Sequence, residues 1–204
     1  MEKVIKIIST LLIFSGLATL FLIFWPVAKI ELKYNFDQIA HVKYVVDTEQ
    51  LSTFEKPLTA PNTDFSIIIP KIGAVAPIIA NVDPSDPKIY LAALKKGVAH
   101  AQGSVLPGEE GNVYLFAHST DAFYNVGSYN AVFFLLGKLQ IGDEVDIYYQ
   151  DSLFRYAVYD KKVVSPDSSQ YFGAILPGEK TLTLQTCYPP GTTLERLIVL
   201  AKGE

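Results

Sequence analysis

Thr181-Leu-Thr-Leu-Gln-Thr-Cys187-Tyr-Pro-Pro-Gly-Thr-Thr-Leu-Glu195-Arg196-Leu-Ile-Val-Leu-Ala201 sets two strand-like runs on either side of a Pro-Pro-Gly turn. The first run alternates Thr with Leu, the period-2 pattern of a half-buried strand. The second is continuously apolar after Arg196. If Tyr188–Glu195 reverses the chain, Cys187 and Arg196 lie near opposite positions and share one face of a hairpin. Cys187 is the only cysteine in the chain, so neither an internal disulfide nor a multi-cysteine metal site is available to it. A nearby cation lowers a thiol's pKa, and a guanidinium can donate to a carbonyl oxygen or a developing oxyanion. A nucleophile and a small buried hydrophobe both remain open readings of Cys187 at this point.

Upstream of the hairpin, short apolar runs recur between turn residues. Asp64–Ile69 and Ala74–Ala80 read as paired strands, with Pro77 placing the second at an edge or bulge. Asp86-Pro87 opens a helix as N-cap and first helical residue, and Gly97 closes it after Lys95-Lys96. Asn112–Ala117 is a strand ending at His118, and a short amphipathic helix is expected over Tyr129–Leu136. Gly142-Asp143 turns into Val145–Tyr149, and Leu153–Val164 is a long Tyr/Val-rich strand. Many short strands with frequent turn signals and little helix define a mainly β fold, a barrel or sandwich.

The N-terminus differs. Ile7–Ala28 is an uncharged, mostly apolar run of 22 residues bracketed by Lys3, Lys6 and Lys29. A spanning helix needs about 20 such residues, whereas a cleavable signal has a core of roughly 7–15. Trp25 near its end suits a membrane interface. The expected organisation is therefore an anchor helix over residues 1–29, a stalk over 30–62 with a short helix near Phe36–Tyr44, and a β-domain over 63–204. Charge counting is equivocal about orientation; the body is placed outside the cytoplasm because a short tail is easier to retain than a long one. Seventeen Lys and Arg against 21 Asp and Glu give a net charge of −4, which argues against nucleic acid as the main partner.

His118 is placed at a strand's C-terminal rim, where a histidine can act as acid or base. His100 lies in the loop after the helix and is read equally as functional or structural. His41 falls in the stalk and is set aside. Three scattered histidines do not suggest a zinc site.

Thr183-Leu-Gln-Thr-Cys187, followed nine residues later by Arg196, resembles the sortase signature, in which Thr-Leu-x-Thr-Cys precedes an arginine. The likeness extends back through Gly97-Val-Ala-His100, Gly103-Ser104, Pro107-Gly108 and Gly111-Asn112 to Ala117-His118. It includes Leu139-x-x-Gly142-Asp143-x-Val145 and Val163-Val-x-Pro166, and covers Phe65–Ala201. The resemblance implies a closed sortase-like β-barrel, preceded here by the N-terminal helix, and a membrane-anchored cysteine transpeptidase. Cys187 would be the nucleophile, His118 the general acid and base, Arg196 the oxyanion partner, and Thr186 a residue shaping the substrate site. The partners implied are secreted proteins bearing a C-terminal signal like Leu-Pro-x-Thr-Gly, and an acceptor amine of the cell wall or of a pilin. No cofactor is implied; acidic residues such as Glu109, Glu110 and Asp143 could hold a calcium ion, as some relatives do, but read as solvated loop charges. The alternatives are a thiol peptidase that uses water and a non-catalytic anchored β-domain that binds a wall component.

Overall fold

The structure is a computed structural model that describes residues 2–46, 54–119, 131–173, 176 and 178–203. Helix α1 (Glu2–Ile39) is followed by strands β1 (Lys43–Val46), β2 (Glu55–Leu58), β3 (Phe65–Ile69) and β4 (Ala74–Val82). Helix α2 (Pro87–Leu94) leads to β5 (Val98–Ala101), β6 (Gly111–Phe116), β7 (Glu144–Tyr149), β8 (Ser152–Val164), β9 (Lys180–Tyr188) and β10 (Glu195–Gly203). Eight strands close into a barrel in the order β10-β8-β7-β3-β4-β5-β6-β9, while β1 and β2 form a separate parallel pair. The fold is mainly β, as the strand spacing predicts.

Alternation fills the barrel. Ile67, Ile69, Leu115, Ile147, Leu182, Leu184 and Val199 form a continuous core with almost no solvent exposure. The connection from β6 to β7 returns through Phe133, Leu136 and Leu139, all fully buried. Leu136–Lys138 is a single 3-10 turn there, not the amphipathic helix expected over Tyr129–Leu136; Tyr129 and Asn130 lie outside the described residues. These large side chains belong to the core cluster itself, which leaves the segment no apolar stripe of its own.

Closure also corrects the reading of Pro77. It lies in an interior strand, because β4 pairs with both β3 and β5. It is tolerated there because the parallel ladder to β5 begins one residue later, at Ile78 opposite Val98. Asp86 caps α2 as expected, its Oδ1 accepting from the Lys88 N–H at 2.8 Å, with Pro87 in the first turn.

α1 is longer than its apolar run. It is long and apolar enough to cross a membrane, with a mean hydropathy of 2.4 in its best window, and nothing in the described chain covers that window. The helix continues eleven residues past Ala28 because Lys29–Ile39 contains no Gly or Pro and has a face to bury. Ile30 and Tyr34, one turn apart, pack against the barrel core. Asp37, only 5% exposed, accepts a hydrogen bond from the Tyr44 hydroxyl at 2.8 Å and pairs with Lys33 and Lys56, both at 3.4 Å. The helix then ends with His41 in the left-handed region (φ 53°), closed by Val42 N–H to Asp37 O and His41 N–H to Gln38 O. Only Phe36–Ile39 of the helix expected near Phe36–Tyr44 is helical, as the tail of α1.

Candidate functional site

Two registers assemble the site. In the antiparallel β9–β10 pair, Cys187 stands directly opposite Arg196. In the parallel β6–β9 pair, Asn112, Tyr114 and Phe116 stand level with Thr181, Thr183 and Gln185. The ladder continues one step beyond β6, because the Ala117 N–H donates to the Gln185 carbonyl at 3.1 Å. Side chains alternate faces along a strand, so even-numbered residues of β6 and odd-numbered residues of β9 share the barrel's outer face. His118 follows two residues past the end of β6 and lines the same cleft as Cys187.

Local chemistry holds each of these elements. The hairpin turn carries the Pro190-Gly191 pattern of a type II turn: the Thr192 N–H donates to Pro189 O at 3.0 Å, and Gly191 takes φ 80°, where a side chain would be strained. Arg196 Nη1 donates to Thr193 O at 3.2 Å and to Glu195 O at 3.0 Å. The turn carbonyls therefore orient the guanidinium, while its other N–H groups stay available. Thr186 is 3% exposed, and its hydroxyl donates to the Ala117 carbonyl at 2.9 Å. It thereby anchors the backbone immediately before His118.

Cys187, Arg196, His118 and Thr186 all line one cleft of about 480 Å³. Its far wall comes from α2 and from the β8–β9 connection, through Tyr90, Leu94 and Phe172. The floor carries a pair that motif reading did not single out. The Tyr114 hydroxyl donates to Gln185 Oε1 at 2.5 Å. Burial pushes the Tyr114 phenol up to about 12, against a smaller opposing pull from Arg196. Alternation along Asn112–His118 was the signal that could have found Tyr114. Below it, Asn112 Oδ1 accepts from the Thr181 and Thr183 hydroxyls, both at 3.1 Å, and its Nδ2 donates to Tyr171 O at 2.9 Å. This ties the β8–β9 connection onto the outer face.

The remaining residues go elsewhere. His100 is 3% exposed. The Asn81 N–H donates to its Nδ1 at 3.3 Å, so Nε2 carries the proton and donates to Val105 O at 3.0 Å. Burial holds this imidazole below its ordinary pKa, against smaller raising effects of Val105 and Glu109. His100 is thus a structural histidine. His41 sits at the end of α1, away from the cleft. Glu109 and Asp143 serve their own loops, accepting from Leu106 N–H at 2.9 Å and Gln140 N–H at 2.7 Å.

A closed barrel of short strands, with one thiol, one guanidinium and one imidazole on a shared outer face, defines a single-cysteine β-barrel class. Comparison with known proteins makes this specific. A Sortase domain model matches residues 67–204, and the chain belongs to the sortase family, whose members are cysteine transpeptidases. It is 30% identical over 137 residues to Sortase D of Bacillus subtilis (strain 168), a match that covers 66% of this chain and 60% of that relative's length. Among solved structures it resembles sortase C-1 from Actinomyces oris, with a TM-score of 0.58 and 28% identity, covering 69% of this chain and 73% of that one. It also resembles Sortase A from Corynebacterium diphtheriae, with a TM-score of 0.58 and 29% identity, covering 69% and 60%. The pilus-related Sortase C of Group B Streptococcus follows with a TM-score of 0.56 and 31% identity, covering 69% and 66%.

Proposed function

We propose that the protein is a membrane-anchored transpeptidase that cleaves a Leu-Pro-x-Thr-Gly-like sorting signal and transfers the acyl half to an amine at the cell surface. The observation that carries this reading is the register that sets Cys187 opposite Arg196, with His118 lining the same cleft.

The Cys187 thiolate attacks the Thr carbonyl carbon, and Arg196 donates hydrogen bonds to the oxygen as it gains charge. The C–N bond breaks, and the proton carried by His118 goes to the departing amine. A thioacyl-enzyme remains. An incoming amine, of the cell wall or of a pilin, attacks the thioester and gives its proton back to His118 as the thiolate leaves. Thr186 acts on this chemistry through the Ala117 backbone and so positions His118. The reading uses no cofactor, because thiol, imidazole and guanidinium supply nucleophile, acid–base and oxyanion functions.

α1 is the candidate anchor. In this reading it crosses the membrane once, with the barrel outside the cytoplasm. By register, the β3–β4 turn lies at the same barrel end as the C-termini of β6 and β9. The docked tail of α1 meets that end near Ile72–Val75, which supports a cleft that works on substrates held in the same membrane.

The test is product analysis with a sorting-signal peptide, with and without added amine. Amide-linked product in the presence of amine is expected, and none from Cys187→Ala. Free acid alone, whatever the amine, selects the hydrolytic peptidase; no product from the wild type selects the non-catalytic binding domain.

A further inference from the structure

Beyond Ala28, α1 has two unlike faces. On one, Ile30 and Tyr34 pack against the barrel core, and Tyr44 and Lys56 close over Asp37. The opposite face carries Leu32, Phe36 and Ile39, which are 59%, 70% and 79% exposed. Spaced by four and then three residues, they are neighbours on one stripe of the helix. They present roughly 400 Å² of apolar surface, a size that marks interaction sites on folded proteins. With the span ending at Ala28, lipid does not reach the far end of this stripe. At a rise of about 1.5 Å per residue, Phe36 lies about 12 Å and Ile39 about 16 Å past Ala28, while the headgroup layer adds only about 5–7 Å. Even a tilt of about 40° leaves Ile39 about 13 Å past Ala28. Nor does the tail lie flat on the bilayer, because Glu2–Ile39 is one continuous helix, Pro26 included.

We propose that a second copy of this chain covers the stripe, through a parallel α1–α1 pair that begins inside the membrane and ends at Ile39. This rests on α1 crossing the membrane, as proposed above, and not on the cleavage chemistry. Anchors inserted the same way run parallel, so a two-fold axis lays each stripe on its own copy. The stripe is complementary to itself. Asn35, three residues past Leu32 and four before Ile39, lies along it. A carboxamide is both donor and acceptor, so Asn35 can pair with its copy and fix the register. The nearby charges are already paired off the stripe, Lys33 with Asp37 and Glu31 with Lys138. Followed back into the span, the same spacing takes in Ala28, Trp25 and Phe21, the last two stacked at 5.0 Å. Outside the bilayer two stripes bury roughly 800 Å², short of the ~1,200–2,000 Å² of a stable interface; the seam within the span supplies the rest. The barrels, docked on the other face of each α1, stand on the outer sides of the pair.

The experiment uses the full-length protein in vesicles of phosphatidylcholine and phosphatidylglycerol, at falling protein-to-lipid ratios. In a Cys187→Ala background, Leu32→Cys and Ile39→Cys each place one thiol on the stripe, and Lys95→Cys, at the exposed end of α2, is the control. Oxidation should join copies through the first two and not through the control. Energy transfer between dye-labelled copies then gives the dissociation constant of the pair. Phe36→Glu should weaken it at least about tenfold, as the loss of a central apolar anchor does. Its circular dichroism should match the wild type, because Phe36 faces away from the barrel. A chain that alkaline carbonate leaves in the membrane, yet is monomeric at every ratio, would overturn the inference and spare the anchor. So would a dimer that Phe36→Glu leaves intact. An environment-sensitive dye on Phe36→Cys that reports lipid in the dilute, monomeric range would give the stripe to the bilayer and overturn it as well. Release of the chain by carbonate would remove the anchor reading and the inference together.

Discussion

Thr186→Val tests how β9 holds the histidine in place. The swap preserves shape and removes one hydroxyl, and with it the 2.9 Å bond to the Ala117 carbonyl. Both residues are buried, at 3% and 5% exposure, so water cannot replace the donor. Leaving a buried acceptor short of a partner costs ~1–3 kcal/mol. For a domain of this size each kcal/mol lowers the melting temperature by roughly 2–4 °C, so a fall of about 2–12 °C is expected by calorimetry of the full-length protein. The catalytic effect should be larger than stability alone implies. Ala117 is joined directly to His118, and a misplacement of about 1 Å can cost on the order of a hundredfold in rate. Turnover of a soluble signal peptide should fall roughly 10–100-fold in kcat, with KM little changed. Thr186→Ser keeps the hydroxyl and should stay within about threefold of wild type. A Val variant with wild-type melting and turnover would refute the claim that this bond positions the histidine.

Other perturbations follow from the same structure. Arg196→Lys should lower kcat by about 10²–10³, because a lysine lacks the planar fork that reaches both the turn carbonyls and an oxyanion; circular dichroism should show the barrel unchanged. Gly97→Ala would place a Cβ 2.2 Å from the Pro77 carbonyl oxygen, so a loss of at least ~2 kcal/mol is expected in urea unfolding. His100 has a folded-state pKa below its ordinary 6.5. The unfolded chain therefore binds a proton first, and the stability His100 contributes, complete above about pH 6.5, is lost as pH falls through the folded value. His100→Gln should flatten that part of the stability–pH curve.

Much of this architecture could be read from local pattern, and the parts that could not have a common physical reason. The hairpin that sets Cys187 against Arg196 was legible because a Pro-Pro-Gly turn and two runs fix a register over few residues. The α2 cap was legible for the same reason, as Asp86 and Pro87 act within one turn. The adjacency of β6 and β9 was not, since those strands are parallel and joined through most of the barrel. No local signal specifies a pairing of that range. This hid Tyr114 and Gln185 as neighbours, and it left His100 and His118 indistinguishable by sequence texture. The family resemblance singled out His118, and the burial of His100, with Asn81 and Val105 at its two nitrogens, gives the physical reason. The extension of α1 to Ile39 was likewise hidden. Asp37 looks like a surface residue until Tyr44 and Lys56 close over it.

The central claim is that Cys187 carries the acyl group. Intact-mass analysis of the full-length protein, quenched in acid during turnover of a sorting-signal peptide, tests it most directly. The account predicts a mass gain equal to the acyl half of the peptide, mapped to Cys187, discharged by hydroxylamine or an added amine and absent from Cys187→Ala. Continued peptide cleavage by Cys187→Ala, with no acyl adduct on the wild type, would contradict it.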